Sequence, residues 1–186
     1  MTTTRNVAVL VGSLRKASFS RKVAKALIGM APSSLKMEIV EIGQLPHYNQ
    51  DDDANPPAAS AAFKQRIQNA SALLFVTPEY NRSVPGALKN AIDIASRPYG
   101  HSAWSGKPGA VVSVSPGAMG AFGANHALRQ SLVFLNVPAM PQPEAYIGNA
   151  ATLFDDAGTL TNASTREFLQ KFMAAFAQWI ERNAAQ

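Results

Sequence analysis

Apolar positions along this chain alternate between two spacings. Residues 7–11 (VAVLV) form an unbroken apolar run, the pattern of a strand covered on both faces. From 20 to 30 the apolar residues Val23, Ala24, Leu27 and Ile28 recur on one helical face. Residues 37–40 read as a short strand whose flanking Lys36 and Glu38 suit an edge position. Residues 43–57, rich in Pro, Asn, Asp and Gly, read as a loop. A helix with Phe63, Ile67 and Ala70 inward follows, then a buried strand at 73–76.

The alternation continues downstream. Leu88, Ala91, Ile92 and Ala95 make a helical stripe behind Pro85, in a first turn where the missing N–H of proline is tolerated. Residues 110–114 give the next strand, and 124–135 a helix with Ala127, Leu128, Leu132 and Leu135 on one side. Residues 138–140 and 145–147 are weaker strand signals. A final helix carries Phe168, Leu169, Phe172, Met173, Phe176, Trp179 and Ile180, opened by the capping-box spacing of Ser164 and Glu167. Such βα alternation implies right-handed crossovers and an α/β fold of three layers, with helices on both faces of a parallel sheet. Five strands in the doubly wound order 2-1-3-4-5 fit the length. Ligands of such sheets sit beyond the carboxyl ends of the strands, beside the switch between strands 1 and 3. The loops after Val11, Val76 and Val114 therefore matter most.

The 186 residues suit one domain spanning 1–186, able to bury roughly 70% of its unfolded surface. The lack of cysteine excludes disulfides, a thiolate nucleophile, cysteine-ligated zinc and iron–sulfur clusters. No apolar run approaches membrane-spanning length and the first residues lack a signal-peptide layout, so the expectation is a soluble cytoplasmic protein without membrane contact. Seventeen Lys and Arg against twelve Asp and Glu leave a charge of +5. The basic residues are scattered and not interleaved with aromatics, which argues against nucleic acid and favours small anions. His47, His101 and His126 show no ligand spacing, so no metal site is expected. A G-x-S-x-G nucleophile elbow is absent, and Asp51, Asp52 and Asp53 read as a solvated face.

The first loop, Gly12 to Ser20, matches neither the dinucleotide nor the P-loop fingerprint. It offers Ser13, Ser18, Ser20, Arg15 and Lys16 at a strand-to-helix turn, a donor set for a phosphate; alternatively Ser18 or Ser20 only caps the helix. In the second loop two prolines stiffen a segment holding Tyr80 and Asn81, suited to a flat heteroaromatic ring or to packing on a neighbouring subunit. The third offers Ser115, Pro116, Gly117 and Gly120, where small residues allow close backbone approach or simply give a flexible loop.

At these loops the sequence resembles the NADPH-dependent FMN reductase family, in its chromate, quinone and azo reductase branch. The resemblance rests on Val11-Gly12-Ser13-Leu14-Arg15-Lys16, on the run from Pro78-Glu79-Tyr80-Asn81-Arg82-Ser83 through Asp93, and on Ser113-Val114-Ser115-Pro116-Gly117. It implies a flavodoxin-like fold, non-covalent FMN and a homodimer or homotetramer. Ser13, Arg15, Ser18 and Ser20 would hold the phosphate, though close relatives often carry Asn where Ser20 stands. Pro78, Glu79, Tyr80 and Asn81 would frame the isoalloxazine, with Ser115, Pro116 and Gly117 near its other edge. Tyr80, Arg82, Arg129 and Glu144 would meet substrate or a neighbouring subunit.

The implied activity is ping-pong transfer from NAD(P)H through the flavin to quinones, with azo compounds and chromate as further acceptors. No side chain is assigned as catalytic, because the flavin carries the chemistry. The alternative is a flavodoxin-type electron carrier without direct NAD(P)H oxidation, against which stands the basic charge of this chain.

Overall fold

Strands β1 (Arg5–Val11), β2 (Leu35–Ile39), β3 (Ala72–Thr77), β4 (Gly109–Val114) and β5 (Ala145–Ile147) pair in parallel in the order 2-1-3-4-5. The computed structural model describes residues 4–183. Helices α1 (Phe19–Gly29), α2 (Ala58–Gln68), α3 (Gly86–Ala95), α4 (Phe122–Phe134) and α5 (Ala163–Asn183) are the connections and the C-terminal element. The predicted strand order is the observed one.

Strand alternation sorts the core into two layers. Val7, Val9 and Val11 point to one face and pack with Val23 and Leu27 of α1 and Leu169, Phe172 and Phe176 of α5. Ala8 and Leu10 point to the other, against Phe63 and Ile67 of α2, Leu88 of α3 and Leu128 of α4. Burial on both faces is why β1, β3 and β4 are near-continuous apolar runs. β2 lies at an edge, with Lys36 and Glu38 exposed as expected.

Three local expectations need correction or refinement. Residues 138–140 form only an isolated bridge between Ala139 and Gly109. Pro138 has no N–H to extend the pairing and Pro141 stops it. The cap of α5 is Asn162, whose Oδ1 accepts the Thr165 N–H at 2.9 Å, while Glu167 turns to Lys171 at 2.7 Å. Ser164 thus lies inside the first turn and the capping-box spacing is not used. The loop at 43–57 contains one short 3₁₀ turn, Gln50–Asp52, with Asn49 accepting the Asp51 N–H. Trp104, between α3 and β4, is a core residue outside every predicted element. It is fully buried, stands edge-on to Phe63 with centroids 6.2 Å apart, and donates Nε1–H to Ile92 O at 2.9 Å.

Strand register decides what the loops can do together. Val11 pairs with Val76, Thr77 with Ser113, and Val114 with Ile147. The carboxyl ends of β1, β3, β4 and β5 are therefore level, and the loops that follow open on one side of the sheet.

Candidate functional site

The first loop leaves β1 at Gly12, where a Cβ would stand 3.0 Å from Thr77 Oγ1 and 3.1 Å from Pro78 Cδ. Glycine here relieves the crowding where the first two loops run this close together. Ser13, Ser18 and Ser20 are buried, at 4%, 2% and 2% exposure, whereas Arg15 and Lys16 are exposed. Ser18 is the cap of α1: its Oγ accepts the Arg21 N–H at 3.1 Å. Capping uses a lone pair and leaves the Ser18 hydroxyl proton to donate, so both sequence alternatives for this residue are compatible. Arg21 is engaged by Glu41 in a two-pronged ion pair at 2.7 and 2.6 Å, which holds the Glu41 carboxyl below its usual range. Arg15 and Lys16 are therefore the cations of this loop that remain for a ligand. Together with the open amides of a helix start, the three hydroxyls and Arg15 fit a phosphate.

The second loop is a tight reversal. Tyr80 and Ser83 exchange backbone hydrogen bonds at 3.1 and 3.0 Å across Asn81 and Arg82, whose φ values are 50° and 64°. Positive φ at both central positions defines a type I′ turn. Asn tolerates this region, but Arg gives up about 1–2 kcal/mol to occupy it. The outcome is a stiff platform with Pro78 half-buried and Tyr80 and Asn81 exposed at its tip. The Glu79 side chain reaches across to helix α4. Its carboxylate faces α4 and accepts the Ala124 N–H at 3.1 Å.

The third loop is fastened to the end of β5. Ser115 N donates to Ile147 O at 2.9 Å, Ala150 N to Ser115 O at 3.1 Å, and Asn149 N to Gly117 O at 3.3 Å. Within the loop, Ser115 Oγ accepts the Gly117 N–H at 3.0 Å. It is therefore an ordered loop, with Pro116 and Gly117 exposed at its rim. Gly148 and Asn149, which support it, were missed by sequence reasoning; the signal was a Gly-Asn pair directly after a weak strand.

The three loops are brought together, and two of the expected contact residues, Arg129 and Glu144, are half-buried and engaged within the chain. Arg129 points inward, with Nε donating to Asn125 Oδ1 at 2.9 Å and Nη1 to Met140 O at 3.0 Å. Glu144 is half-buried beside Tyr146, whose hydroxyl pairs with His126 Nε2 at 2.9 Å; burial first, and Glu144 second, push the Tyr146 pKa up. Tyr80 and Arg82 are exposed as expected. A cavity of about 70 Å³ lined by Tyr48, Asp53, Lys64 and Arg97 lies away from the loops and is too small for a flavin ring system.

A sequence model of the family described as NADPH-dependent FMN reductase matches residues 5–152. The chain belongs to this family. It is an oxidoreductase with FMN as cofactor and NAD(P)H as co-substrate. Among its relatives, a quinone reductase of Pseudomonas putida is 66% identical over 181 residues, covering 97% of each chain. A 2-hydroxy-1,4-benzoquinone reductase of a Burkholderia species is 48% identical over 174 residues, 94% of this chain and 95% of the other. Among solved structures, the flavoenzyme NAD(P)H:(acceptor) oxidoreductase FerB of Paracoccus denitrificans superposes with a TM-score of 0.92 at 45% identity, covering 98% of this chain and 100% of that one. Among the described residues no helix is long and apolar enough to cross a membrane.

Proposed function

We propose that this FMN reductase-family member reduces quinones with NAD(P)H in the cytoplasm, where the nicotinamide is supplied, as a homodimer or homotetramer. The observation that carries the reading is the level alignment of the three loops at the β1/β3 switch: buried hydroxyls, a stiff aromatic-tipped turn and a small-residue loop. Bound FMN supplies the two-electron transfer between nicotinamide and quinone. The chain does the rest. Ser13, Ser18, Ser20 and Arg15 hold the phosphate. Pro78, Glu79, Tyr80 and Asn81 support the ring system through the second loop, and Ser115, Pro116 and Gly117 flank its other edge. Exposed Leu14, Tyr80, Met119 and Phe122, all in or beside these loops, give an apolar rim that suits a flat quinone and excludes water from the ring. Azo compounds share that flatness. Chromate does not, and would rely on the exposed cations Arg15, Lys16 and Arg82.

The purified protein is expected to be yellow and to oxidise NAD(P)H when a quinone is added. A colourless protein that stays inactive after FMN is supplied would overturn this reading. Static light scattering should give a mass of two or four chains; Val133 and Phe134, 80% and 79% exposed on α4, offer apolar surface for association.

Arg15→Ala should weaken FMN binding roughly tenfold with the fold intact. A charge-assisted hydrogen bond contributes about 1.5–3 kcal/mol, and the exposed position of Arg15 places it at the low end. Unchanged affinity in an FMN titration of the apoprotein would remove Arg15 from the phosphate site.

A further inference from the structure

Helix α4 starts without a side-chain cap of its own. Ala121 precedes it at φ 61° and ψ 42°, and a methyl group cannot accept an N–H from the first turn. The acceptor comes from another segment: Glu79 Oε2, in the second loop, takes the Ala124 N–H at 3.1 Å. The contact extends along the backbone. A Cβ on Gly123 would stand 3.0 Å from Glu79 Oε2 and 3.0 Å from Arg82 O. Loop and helix thus touch on both sides of the left-handed turn, and Gly123 is the spacer that lets them.

Two backbone hydrogen bonds, from Tyr80 N and Ser83 N, close the turn, and it carries two non-glycine residues at positive φ. A reversal of this kind keeps its shape when the surrounding structure fixes its ends. On the strand side the end is fixed by Thr77, whose Oγ1 donates to Pro78 O at 2.8 Å. On the outer side the fixture is Glu79.

We propose that Glu79 is a positioning residue of the flavin site: its carboxylate clamps the second loop to the first turn of α4 and keeps the Tyr80–Ser83 turn in its ring-facing form. This rests on the reading that the second loop supports the isoalloxazine, and it moves the side chain of Glu79 from the ring to the helix. What the clamp requires is an oxygen acceptor at the end of a two-methylene arm. Glutamine keeps that oxygen and loses the charge; alanine loses both. A carboxylate acting on the ring by its charge would instead be lost equally in both variants.

The test compares wild type, Glu79→Ala and Glu79→Gln. FMN titration of each apoprotein gives affinity, hydrogen exchange reads the Ala124 amide directly, and a redox titration gives the midpoint potential of the bound flavin. Glu79→Ala should expose Ala124 to faster exchange and weaken FMN binding five- to tenfold. Glu79→Gln should restore both to within about twofold and leave the midpoint potential unmoved. Three results would overturn the proposal: Glu79→Ala binding FMN like wild type, Glu79→Gln binding as weakly as Glu79→Ala, or a potential shifted in Glu79→Gln. A wild-type apoprotein that does not bind FMN would sink the functional reading on which the proposal rests.

Discussion

A methyl group added at Gly120 is expected to cost the protein its hold on FMN. Gly120 lies at φ 57°, a region that strains an L side chain, and its Cβ would stand 2.7 Å from the Tyr146 carbonyl carbon and 3.0 Å from Ile147 N. Those atoms belong to β5 and cannot withdraw, because Tyr146 and Ile147 are paired to Ser113 and Val114 of β4. The strain of about 1–2 kcal/mol adds to an overpacking cost of about 1–3 kcal/mol. The loop can relieve both only by lifting away from the sheet, and it takes Pro116 and Gly117 with it. A displacement worth 2 kcal/mol or more lowers FMN affinity by roughly 30-fold or more. Gly29→Ala is the control: nothing lies within 4 Å of its Cβ, and it sits in the last turn of α1. FMN titration of both apoproteins checks the prediction, and a Gly120→Ala protein within threefold of wild type would refute it.

The second large effect is on stability. Asn125 is fully buried and joins three segments. Its Nδ2 donates to Ser113 Oγ at 3.1 Å, and its Oδ1 accepts from Arg129 Nε at 2.9 Å. Ser113 Oγ in turn donates to Gly120 O at 2.7 Å, and Arg129 reaches on to Met140 O. Asn125→Leu keeps the branched shape with added bulk and leaves Nε of a half-buried guanidinium without its acceptor. The loss of an acceptor for a charged donor, together with the lost donor to Ser113, is worth about 2–4 kcal/mol. For a chain of this size that lowers Tm by roughly 5–15 °C. Arg129→Met should do less, because the Asn125 carbonyl it abandons is neutral. Calorimetry of the two variants decides, and an Asn125→Leu protein melting within a degree of wild type would show the network to be dispensable.

The sheet was legible in the sequence because its strands are buried on both faces, and such strands spell themselves out as apolar runs. The loops were legible as places, because register follows from topology. Their interior hydrogen bonding was not. Whether Glu79 turns to a ring or to a helix depends on Ala121 having no cap to offer, a fact carried 42 residues away in sequence. Arg129 reads as a surface cation on a helix, and two acceptors draw it inward: Asn125 Oδ1 one turn back and the carbonyl of Met140, presented by a segment between two prolines. Asn162 rather than Ser164 caps α5 because the helix begins at Ala163, which places Ser164 inside its first turn. Trp104 escaped notice because a core residue in a connection belongs to no period.

The fastening of the three loops by the protein's own hydrogen bonds has a consequence for how the enzyme is supplied. Ser18 caps α1, the Tyr80–Ser83 turn closes on itself, and Ser115 is tied to β5, all through contacts within the chain. FMN binding is therefore expected to immobilise few backbone residues in these loops, and amide exchange compared with and without FMN checks it.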